Sequence, residues 1–339
     1  MKNSIANLLA SLPEGGRGHG DAVIGTMASG AQIAIPFVCV RGTRPGRTLW
    51  INGQVHGVEV AGIVAALDFA NSLQAPELEG TVVVTSTGNP IGFDLRRKNA
   101  HDDNDLDQTF PGRADGFITE RLAHRLLEEI RAVSPDLVIS MHAQGPQVVS
   151  RSYAVYKQPP DGSVPEAMLM RHMAAFDPIV ACRMDVRPGS GELLGNHAGA
   201  LDYQLNRIGI PCFMIELGVG QRAEPAEVER GVRGFREVAR QLGIVRGPAQ
   251  PAPASLRRVT RRGHLPITHG GLFRPSCAPG EIVPAGRALG TIIDLHGRAV
   301  ETVVLAHDAL VIAIRVDPVV HCGDRVGYLA YEWDDVAIP

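Results

Sequence analysis

Two histidines and one glutamate of this chain form a set of side chains that could hold a catalytic metal ion. His56 and Glu59 occur in the short motif His56-Gly57-Val58-Glu59, and His142 follows far downstream. A catalytic zinc ion takes three protein ligands of these types and keeps a fourth position open for water. Two histidines and a carboxylate also bind other divalent ions, so the residue types alone leave the identity of the metal open.

A further acidic residue strengthens this interpretation. The His-x-x-Glu pattern occurs by chance, and a single histidine is usually a surface or hydrogen-bonded residue. Glu216, however, lies at the end of an apolar run that begins at Ile210, and it has no basic neighbour in the sequence. Burying a carboxylate in such a strand is unfavourable unless the group is paired or used. We therefore expect Glu216 to belong to the site; the alternative is a hydrogen-bonded carboxylate of the core.

The predicted elements bring these residues to one edge of a sheet. Residues 49–51 form an apolar strand, and residues 58–73 have the apolar content of a helix that packs on a sheet. His56 would lie in the turn between them and Glu59 in the first turn of the helix, so that both face one point. His142 would end the apolar strand of residues 137–141, at the edge where α/β sheets bind ligands.

Strands and helices alternate along the first part of the chain. A β-rich stretch is expected at residues 32–40, with further strands at 48–52, 81–86, 137–141 and 211–216. Helices are expected at residues 58–73, 119–133, 165–176, 198–208 and 225–242. This alternation predicts an α/β fold, a sheet flanked by helices on both faces.

The C-terminal part follows a different pattern, and a chain of 339 residues is long enough for two domains. We predict an α/β catalytic domain over residues 1–247, a Pro/Ala-rich linker over 248–256 and a small all-β, barrel-like domain over 257–339. A V-x-x-G-x-x-[LV]-G repeat at 283–290 and 320–327 suggests a small barrel like those of lipoyl and biotinyl domains. No Met-Lys or Asp-Lys dipeptide offers a carrier lysine there, so a structural cap or a homo-oligomer surface is the preferred interpretation.

Composition excludes several other classes of function. The net charge of -3 with 20% charged residues gives no basic field for nucleic acid. No apolar run reaches the roughly 20 residues of a membrane helix, and the N-terminus has no apolar signal-peptide region. The five cysteines are scattered and odd in number, which is typical of reduced thiols. We expect a cytoplasmic protein whose partner is a small molecule.

Several short motifs occur in a fixed order and together resemble a known family. They are His56-x-x-Glu59, Asn89-Pro90 with Gly92-Phe93, Asp105-Leu106 leading to Phe110-Pro111-Gly112, His142, Gly209-Ile210-Pro211 and Glu216-Leu217-Gly218. The chain resembles the succinylglutamate desuccinylase/aspartoacylase family, relatives of the zinc carboxypeptidases. The resemblance implies a mixed sheet of the zinc carboxypeptidase type and one zinc ion per chain, held by His56, Glu59 and His142. It also implies that Glu216 is the general base.

The sequence departs from the family pattern where the substrate would bind. The family usually has Asp-Leu-Asn-Arg, whose Asn and Arg hold a substrate carboxylate, but this chain has Asp107 and Gln108 at the last two positions. An aspartate there would repel a carboxylate and favour an amine or a hydroxyl. The arginine that usually stabilises the oxyanion falls at Lys98, flanked by Arg96 and Arg97, and any of these three could fill the role.

Two more positions bear on the site. Ser140 stands where the family often has an acid that orients the metal-binding histidine, a role that serine could fill more weakly. Arg151 follows His142 closely and could reach a bound substrate; a plain surface position is an equally good interpretation.

Three hypotheses follow. The first is a zinc amidohydrolase that cleaves a linear amide in a small N-acyl compound, with Glu216 as general base. The second is a peptidase of the carboxypeptidase type, which would need a carboxylate-binding arginine that the Asp107-Gln108 pair does not provide. The third is a non-catalytic metal- or ligand-binding protein. From the Asp107-Gln108 pair we expect poor activity on N-acetyl-aspartate and succinylglutamate.

Overall fold

The computed structural model describes residues 4–160, 162–187, 190 and 193–338. Seven α-helices lie within these residues: α1 (Ile5–Ser11), α2 (Ala61–Ser72), α3 (Pro90–Leu95), α4 (Ile118–Val133), α5 (Glu166–Ala174), α6 (Leu201–Arg207) and α7 (Pro225–Gln241). The same residues form seventeen strands: β1 (Arg17–Thr26), β2 (Gln32–Arg41), β3 (Arg44–Asn52), β4 (Glu79–Thr85), β5 (Leu137–Gln144), β6 (Val148–Ser150), β7 (Tyr153–Lys157), β8 (Ala181–Met184), β9 (Cys212–Val219), β10 (Ser255–Pro266), β11 (Gly271–Pro275), β12 (Ile282–Val283), β13 (Ala288–Ile293), β14 (Ala299–Val304), β15 (Ala309–Arg315), β16 (Val319–Val320) and β17 (Arg325–Ala337). Short 3₁₀ turns cover Ala75–Glu77, Leu106–Gln108 and His197–Gly199.

A mixed sheet of thirteen strands forms the centre of the molecule. Its order is β1-β2-β4-β3-β5-β9-β7-β8-β10-β17-β15-β12, with β6 paired to β15. The strands β4, β3, β5 and β9 are parallel neighbours, and their residues are buried on both faces. Parallel strands covered on both faces have continuous apolar runs, which is why these four strands were predictable from the sequence.

Helices cover both faces of this sheet. On one face, α2, α5 and α7 pack against the strands through residues such as Phe69, Met170 and Phe235. On the other face, α4 lies against the sheet with Leu122, Leu126 and Ile130 in the core, and α1 and α6 pack beside it. The predicted α/β fold, a mixed sheet flanked by helices on both faces, is confirmed.

The predicted elements are found with shifted ends. The helix expected at 58–73 begins only at Ala61, and the helix expected at 198–208 begins at Leu201 after a 3₁₀ turn. The strands β1, β6, β7 and β8 and the short helices α1 and α3 were not predicted. β1 alternates polar and glycine residues at its start, so its apolar pattern is too weak to read from the sequence.

The C-terminal region is all β, as predicted. A four-stranded antiparallel sheet, β14-β13-β11-β16, shares a core with β12, β15 and β17 of the large sheet. The repeat has a structural cause: Val283 and Val320 are buried, and Gly286 and Gly323 adopt φ values of 80° and 86° in the turns that follow. Only glycine adopts such turns without strain, so the same spacing appears twice.

The domain boundaries remain a prediction. β10 begins at Ser255, at the end of the predicted linker, and pairs with β8 of the α/β part at Arg258–Val259. One sheet therefore runs through both parts of the chain. Within the described residues, no helix has the length and apolar character needed to cross a bilayer.

Candidate metal centre and active site

The His56–Glu59 motif lies in a tight turn between β3 and α2. The backbone N–H of Glu59 donates to the carbonyl of His56 at 2.9 Å, which closes the turn and puts both side chains on one side. Glu59 therefore precedes the helix, and its predicted position in the first helical turn is wrong. Gly57 is required here, because a Cβ atom would lie 1.9 Å from the carbonyl carbon of Gly92. This close contact holds the residue 92–98 segment against the turn.

His142 and Glu216 reach the same place from neighbouring strands. They are directly paired across the parallel strands β5 and β9, so their side chains stand side by side. His142 lies inside β5 rather than at its end, because the strand continues to Gln144. Tyr153 of β7 is paired with Glu216 on the other side. Three adjacent strands thus present a histidine, a carboxylate and a phenol in a row.

The three predicted metal ligands form one buried cluster. His56 Nδ1 lies 2.8 Å from Glu59 Oε1, and His142 Nδ1 lies 3.2 Å from Glu59 Oε2. The ligand atoms of the three residues lie within 4.8 Å of one another. Around a tetrahedral zinc ion, neighbouring ligand atoms would be roughly 3.3 Å apart. Glu59 Oε2 is buried and has no well-formed hydrogen bond within the described part of the chain, so the donor set fits a divalent cation.

The pKa shifts within the cluster also indicate a site for positive charge. Burial lowers the pKa of His56, but the charge of Glu59 and the hydrogen bond to Asp105 outweigh burial and raise it to about 10. Burial raises the pKa of Glu59, yet the charges of His56 and His142 and their contacts lower it to about 2. The carboxylates therefore stabilise positive charge at this point. A divalent cation would supply that charge in place of the protons, which must leave before the histidines can ligate it.

Asp105 holds His56 in place, a role that the sequence interpretation did not assign. Its Oδ1 accepts hydrogen bonds from His56 Nε2 and from the backbone N–H of Asp107, each at 3.0 Å. Its Oδ2 accepts from Lys98 Nζ at 2.7 Å and from Gln108 Nε2 at 3.1 Å. These donors lower the pKa of Asp105 far below its usual range, although burial acts in the opposite direction. A carboxylate behind a metal-binding histidine fixes its ring and increases its basicity.

His142 has a weaker partner of the same kind. Ser140 Oγ lies 3.4 Å from His142 Nε2, near the outer limit of a hydrogen bond. This agrees with the expectation that a serine at this position orients the ring less firmly than an acid would.

Glu216 lies beside the cluster in a buried environment. Burial and then the charge of Glu59 raise its pKa to about 7, while His142, His56 and the Tyr153 hydroxyl act in the opposite direction. Its Oε2 is buried without a hydrogen-bond partner among the described residues. Gln144 Nε2 donates to the Tyr153 hydroxyl, which leaves the phenolic proton available to Glu216. A carboxyl group with a pKa near neutrality can both accept and return a proton.

Of the three basic residues at 96–98, Lys98 is the one that contacts Asp105, the carboxylate that is hydrogen-bonded to His56. Its ammonium group pairs with Asp105 at 2.7 Å and half of its side chain remains exposed. Arg97 pairs instead with the exposed Asp103 at 2.7 Å. Arg96 is exposed and ends α3 in a left-handed conformation, with φ of 52°.

Asp107 and Gln108 lie together in the 3₁₀ turn Leu106–Gln108, next to Asp105. The Gln108 amide is used at both ends, since Nε2 donates to Asp105 and Oε1 accepts from the backbone N–H of Asn196 at 2.9 Å. Arg151 is exposed and its guanidinium lies against Gly280 of the C-terminal region. The structure thus groups Lys98, Asp107 and Gln108 around Asp105, the hydrogen-bond partner of His56, whereas Arg96, Arg97 and Arg151 have exposed positions away from it.

Comparison with known proteins identifies the family of this chain. Residues 45–242 match the model of the succinylglutamate desuccinylase/aspartoacylase catalytic domain. The chain belongs to this family. The matched range includes β5, β9 and the turn between β3 and α2, which carry His142, Glu216, His56 and Glu59. The resemblance inferred from the ordered motifs is therefore confirmed.

One curated relative and two solved structures are similar to this chain over most of its length. The chain is 25% identical over 304 residues to the N-alpha-acetyl-L-2,4-diaminobutyric acid deacetylase of Halomonas elongata, covering 88% of this chain and 86% of that protein. The product-bound ectoine utilization protein EutE (DoeB) of Ruegeria pomeroyi superimposes with a TM-score of 0.80 at 22% identity, over 95% and 97% of the two chains. A succinylglutamate desuccinylase/aspartoacylase of Rhodobacter sphaeroides gives a TM-score of 0.80 at 22% identity, over 96% of each chain. The two structures show that the fold is shared, including the C-terminal β region.

Proposed function

We propose that this deacylase-family protein is a zinc-dependent amidohydrolase that removes the acyl group from the amine of a small N-acyl compound. The observation that carries the proposal is the position of Glu216. Glu216 is paired with His142 across β5 and β9, beside the cluster of His56, Glu59 and His142, and its Oε2 is buried without a hydrogen-bond partner among the described residues. A buried carboxylate in this position is costly unless it takes part in chemistry.

The chain's own residues divide the work of amide hydrolysis. His56, Glu59 and His142 would hold one zinc ion per chain, which when bound supplies an acidified water and polarises the acyl carbonyl. Glu216 would take up the proton of the attacking water at Oε2 and pass it to the leaving nitrogen. Lys98 would stabilise the negative charge that develops on the carbonyl oxygen, because its half-exposed ammonium group lies beside Asp105, the hydrogen-bond partner of His56. Asp105 would keep His56 oriented throughout.

The named relative supports a small N-acyl substrate. The Halomonas elongata protein is a deacetylase of N-alpha-acetyl-L-2,4-diaminobutyric acid. We infer the same class of reaction for this chain, in the cytoplasm, with a small molecule rather than nucleic acid or a membrane as its partner. A carboxypeptidase activity is disfavoured, because Gln108 offers no guanidinium and its amide is already hydrogen-bonded at both ends.

The test is hydrolysis of a panel of N-acyl amines and N-acyl amino acids by zinc-loaded protein. Glu216→Gln serves as the blank, because the amide keeps the volume of the side chain but cannot take up a proton. We expect cleavage by the wild type and a rate about 10²- to 10⁴-fold lower for the variant, with equal zinc contents measured by mass spectrometry. Peptide cleavage without deacylation would favour the carboxypeptidase alternative. Zinc binding without cleavage of any amide, ester or peptide would favour a binding protein.

A further inference from the structure

Asp107 lies at the edge of the proposed active site. Its backbone N–H and His56 Nε2 donate to the same oxygen of Asp105, each at 3.0 Å. The Asp107 backbone is therefore at most about 6 Å from the ring of a proposed metal ligand. A substrate whose amide is held at the cluster could reach Asp107 through a chain of a few methylene groups.

The carboxylate of Asp107 is only partly used by the protein, although Lys98, Lys157 and His142 lie near enough to interact with its charge. Its Oδ1 accepts one hydrogen bond, from the backbone N–H of Leu201 at 3.3 Å. Its Oδ2 has no hydrogen-bond partner in the described part of the chain and is not fully buried. Each of the two nearby lysines makes its ion pair with another carboxylate: Lys98 with Asp105 at 2.7 Å and Lys157 with Asp202 at 2.8 Å. No cationic side chain of the described residues lies within ion-pair distance of Asp107.

The adjacent position offers nothing to a carboxylate. Gln108 Oε1 and Nε2 are bound to Asn196 and Asp105, and Asn196 Nδ2 also donates to the Gln108 carbonyl at 2.8 Å. A Cβ on Gly199 would lie 2.2 Å from that carbonyl, so the 3₁₀ turn His197–Gly199 packs directly on Gln108. The turn therefore presents to the substrate one free acidic oxygen and no free donor from Gln108.

We propose that Asp107 binds an ammonium group of the substrate, so that the protein deacylates N-acyl diamines, compounds in which a second, free amine stands a few carbons from the acylated one. The inference rests on the proposed function. An ammonium group donates strong, charge-assisted hydrogen bonds to a carboxylate. A carboxylate in its place would be repelled by Asp107.

Three acetylated probes of equal chain length test this specificity. The first is the mono-acetylated four-carbon diamine; the second is N-pentylacetamide, in which a methyl group replaces the ammonium; in the third a carboxylate replaces it. We expect the wild type to prefer the diamine in kcat/KM. Asp107→Asn keeps an acceptor for Leu201 but loses the charge, and should lower the ratio of diamine to N-pentylacetamide on the order of 10- to 100-fold. Asp103→Asn, in the same loop, should leave this ratio unchanged.

A binding measurement separates this inference from the proposed function. Calorimetry with the free four-carbon diamine, the product of the first probe, should show binding to the wild type and to Asp103→Asn, and weaker binding to Asp107→Asn. Preference for N-pentylacetamide or the acid overturns the ammonium site but leaves the deacylase proposal standing. If no probe is cleaved, the proposed function is at fault and the binding comparison decides: equal diamine binding by wild type and Asp107→Asn overturns the inference.

Discussion

The contacts of Asp105 allow a quantitative prediction for its replacement by asparagine. The carboxylate accepts two hydrogen bonds on each oxygen, from His56 and the Asp107 N–H on one and from Lys98 and Gln108 on the other. An amide of the same shape has only one acceptor oxygen, so its NH₂ group must face two donors. Whichever way the amide turns, it loses the ion pair with Lys98 and half of the hydrogen bonds.

Loss of the partner of a metal-binding histidine typically lowers metal affinity 10- to 100-fold. For Asp105→Asn this corresponds to about 1.4–2.7 kcal/mol of metal-binding free energy. We expect this loss in competition titrations of zinc against a chromophoric chelator at fixed pH, together with lower deacylation at limiting zinc. Thermal unfolding of the metal-free proteins would establish that the variant is folded.

Asp103→Asn is the matched control, because Asp103 lies in the same loop but makes an exposed ion pair with Arg97. Such surface pairs contribute little to stability. We expect Asp103→Asn to bind zinc as the wild type does. A zinc affinity of Asp105→Asn equal to that of Asp103→Asn would refute the argument that Asp105 supports the metal centre through His56.

Three further predictions address the general base and the stability of the fold. Glu216→Gln should lower kcat/KM for deacylation by about 10²- to 10⁴-fold while the zinc content stays that of the wild type; loss of zinc would instead indicate a structural role. Lys157→Met should lower the free energy of unfolding in urea by about 3–5 kcal/mol, because it leaves the buried Asp202 carboxylate uncompensated. The double variant Lys157→Met/Asp202→Leu should recover most of this loss. A double variant no more stable than Lys157→Met would contradict the pairing. Burial lowers the pKa of His264 to about 4, against 6.5 for the unfolded chain, so the folded state should lose stability as the pH falls from 6.5 towards 4. His264→Phe keeps an aromatic ring packed on Tyr328, whose ring centroid lies 5.0 Å from that of His264. The free energy of unfolding of this variant, from urea titrations at pH 7 and 5, should lack this part of the pH dependence. The same pH dependence in both proteins would exclude His264 as its source.

The grouping of the proposed site residues was predictable because of how parallel strands are arranged. The carboxyl ends of β3 and β5 meet at one edge of the sheet, and β9 is the next neighbour. Apolar runs identify these strands, and the polar residues that interrupt or follow them therefore converge. His56, His142 and Glu216 could be brought together from the sequence in this way.

The role of Asp105 could not be predicted in the same way. The loop contains acidic residues at 102, 103, 105 and 107, and their spacing does not distinguish the one that contacts His56. The choice depends on how the loop folds over the turn, where Gly57 N–H bonds to the Lys98 carbonyl at 3.0 Å and fixes the loop's start. Lys98 could not be separated from Arg96 and Arg97 for the same reason.

The continuity of the large sheet through both parts of the chain could not be predicted from the sequence. The Pro/Ala-rich composition at 248–256 predicted a linker between separate parts, but the parallel pairing of β10 with β8 joins residues 258 and 181. Such long-range pairing is decided by the packing of the whole chain rather than by local pattern. The predicted start of α2 at residue 58 was also wrong, because the tight His56–Glu59 turn replaces the first helical turn.

The most direct test of the central claim is a zinc titration of metal-free protein with amide cleavage as the readout. We expect the chelated protein to be inactive and its activity to rise to a plateau at one zinc ion per chain, because His56, Glu59 and His142 are the proposed ligands of a single ion. His142→Ala, which lacks one of the three proposed ligands, should not regain activity over the same range. Cleavage that survives chelation, or that saturates with His142→Ala as it does with the wild type, would contradict a metal centre formed by His56, Glu59 and His142.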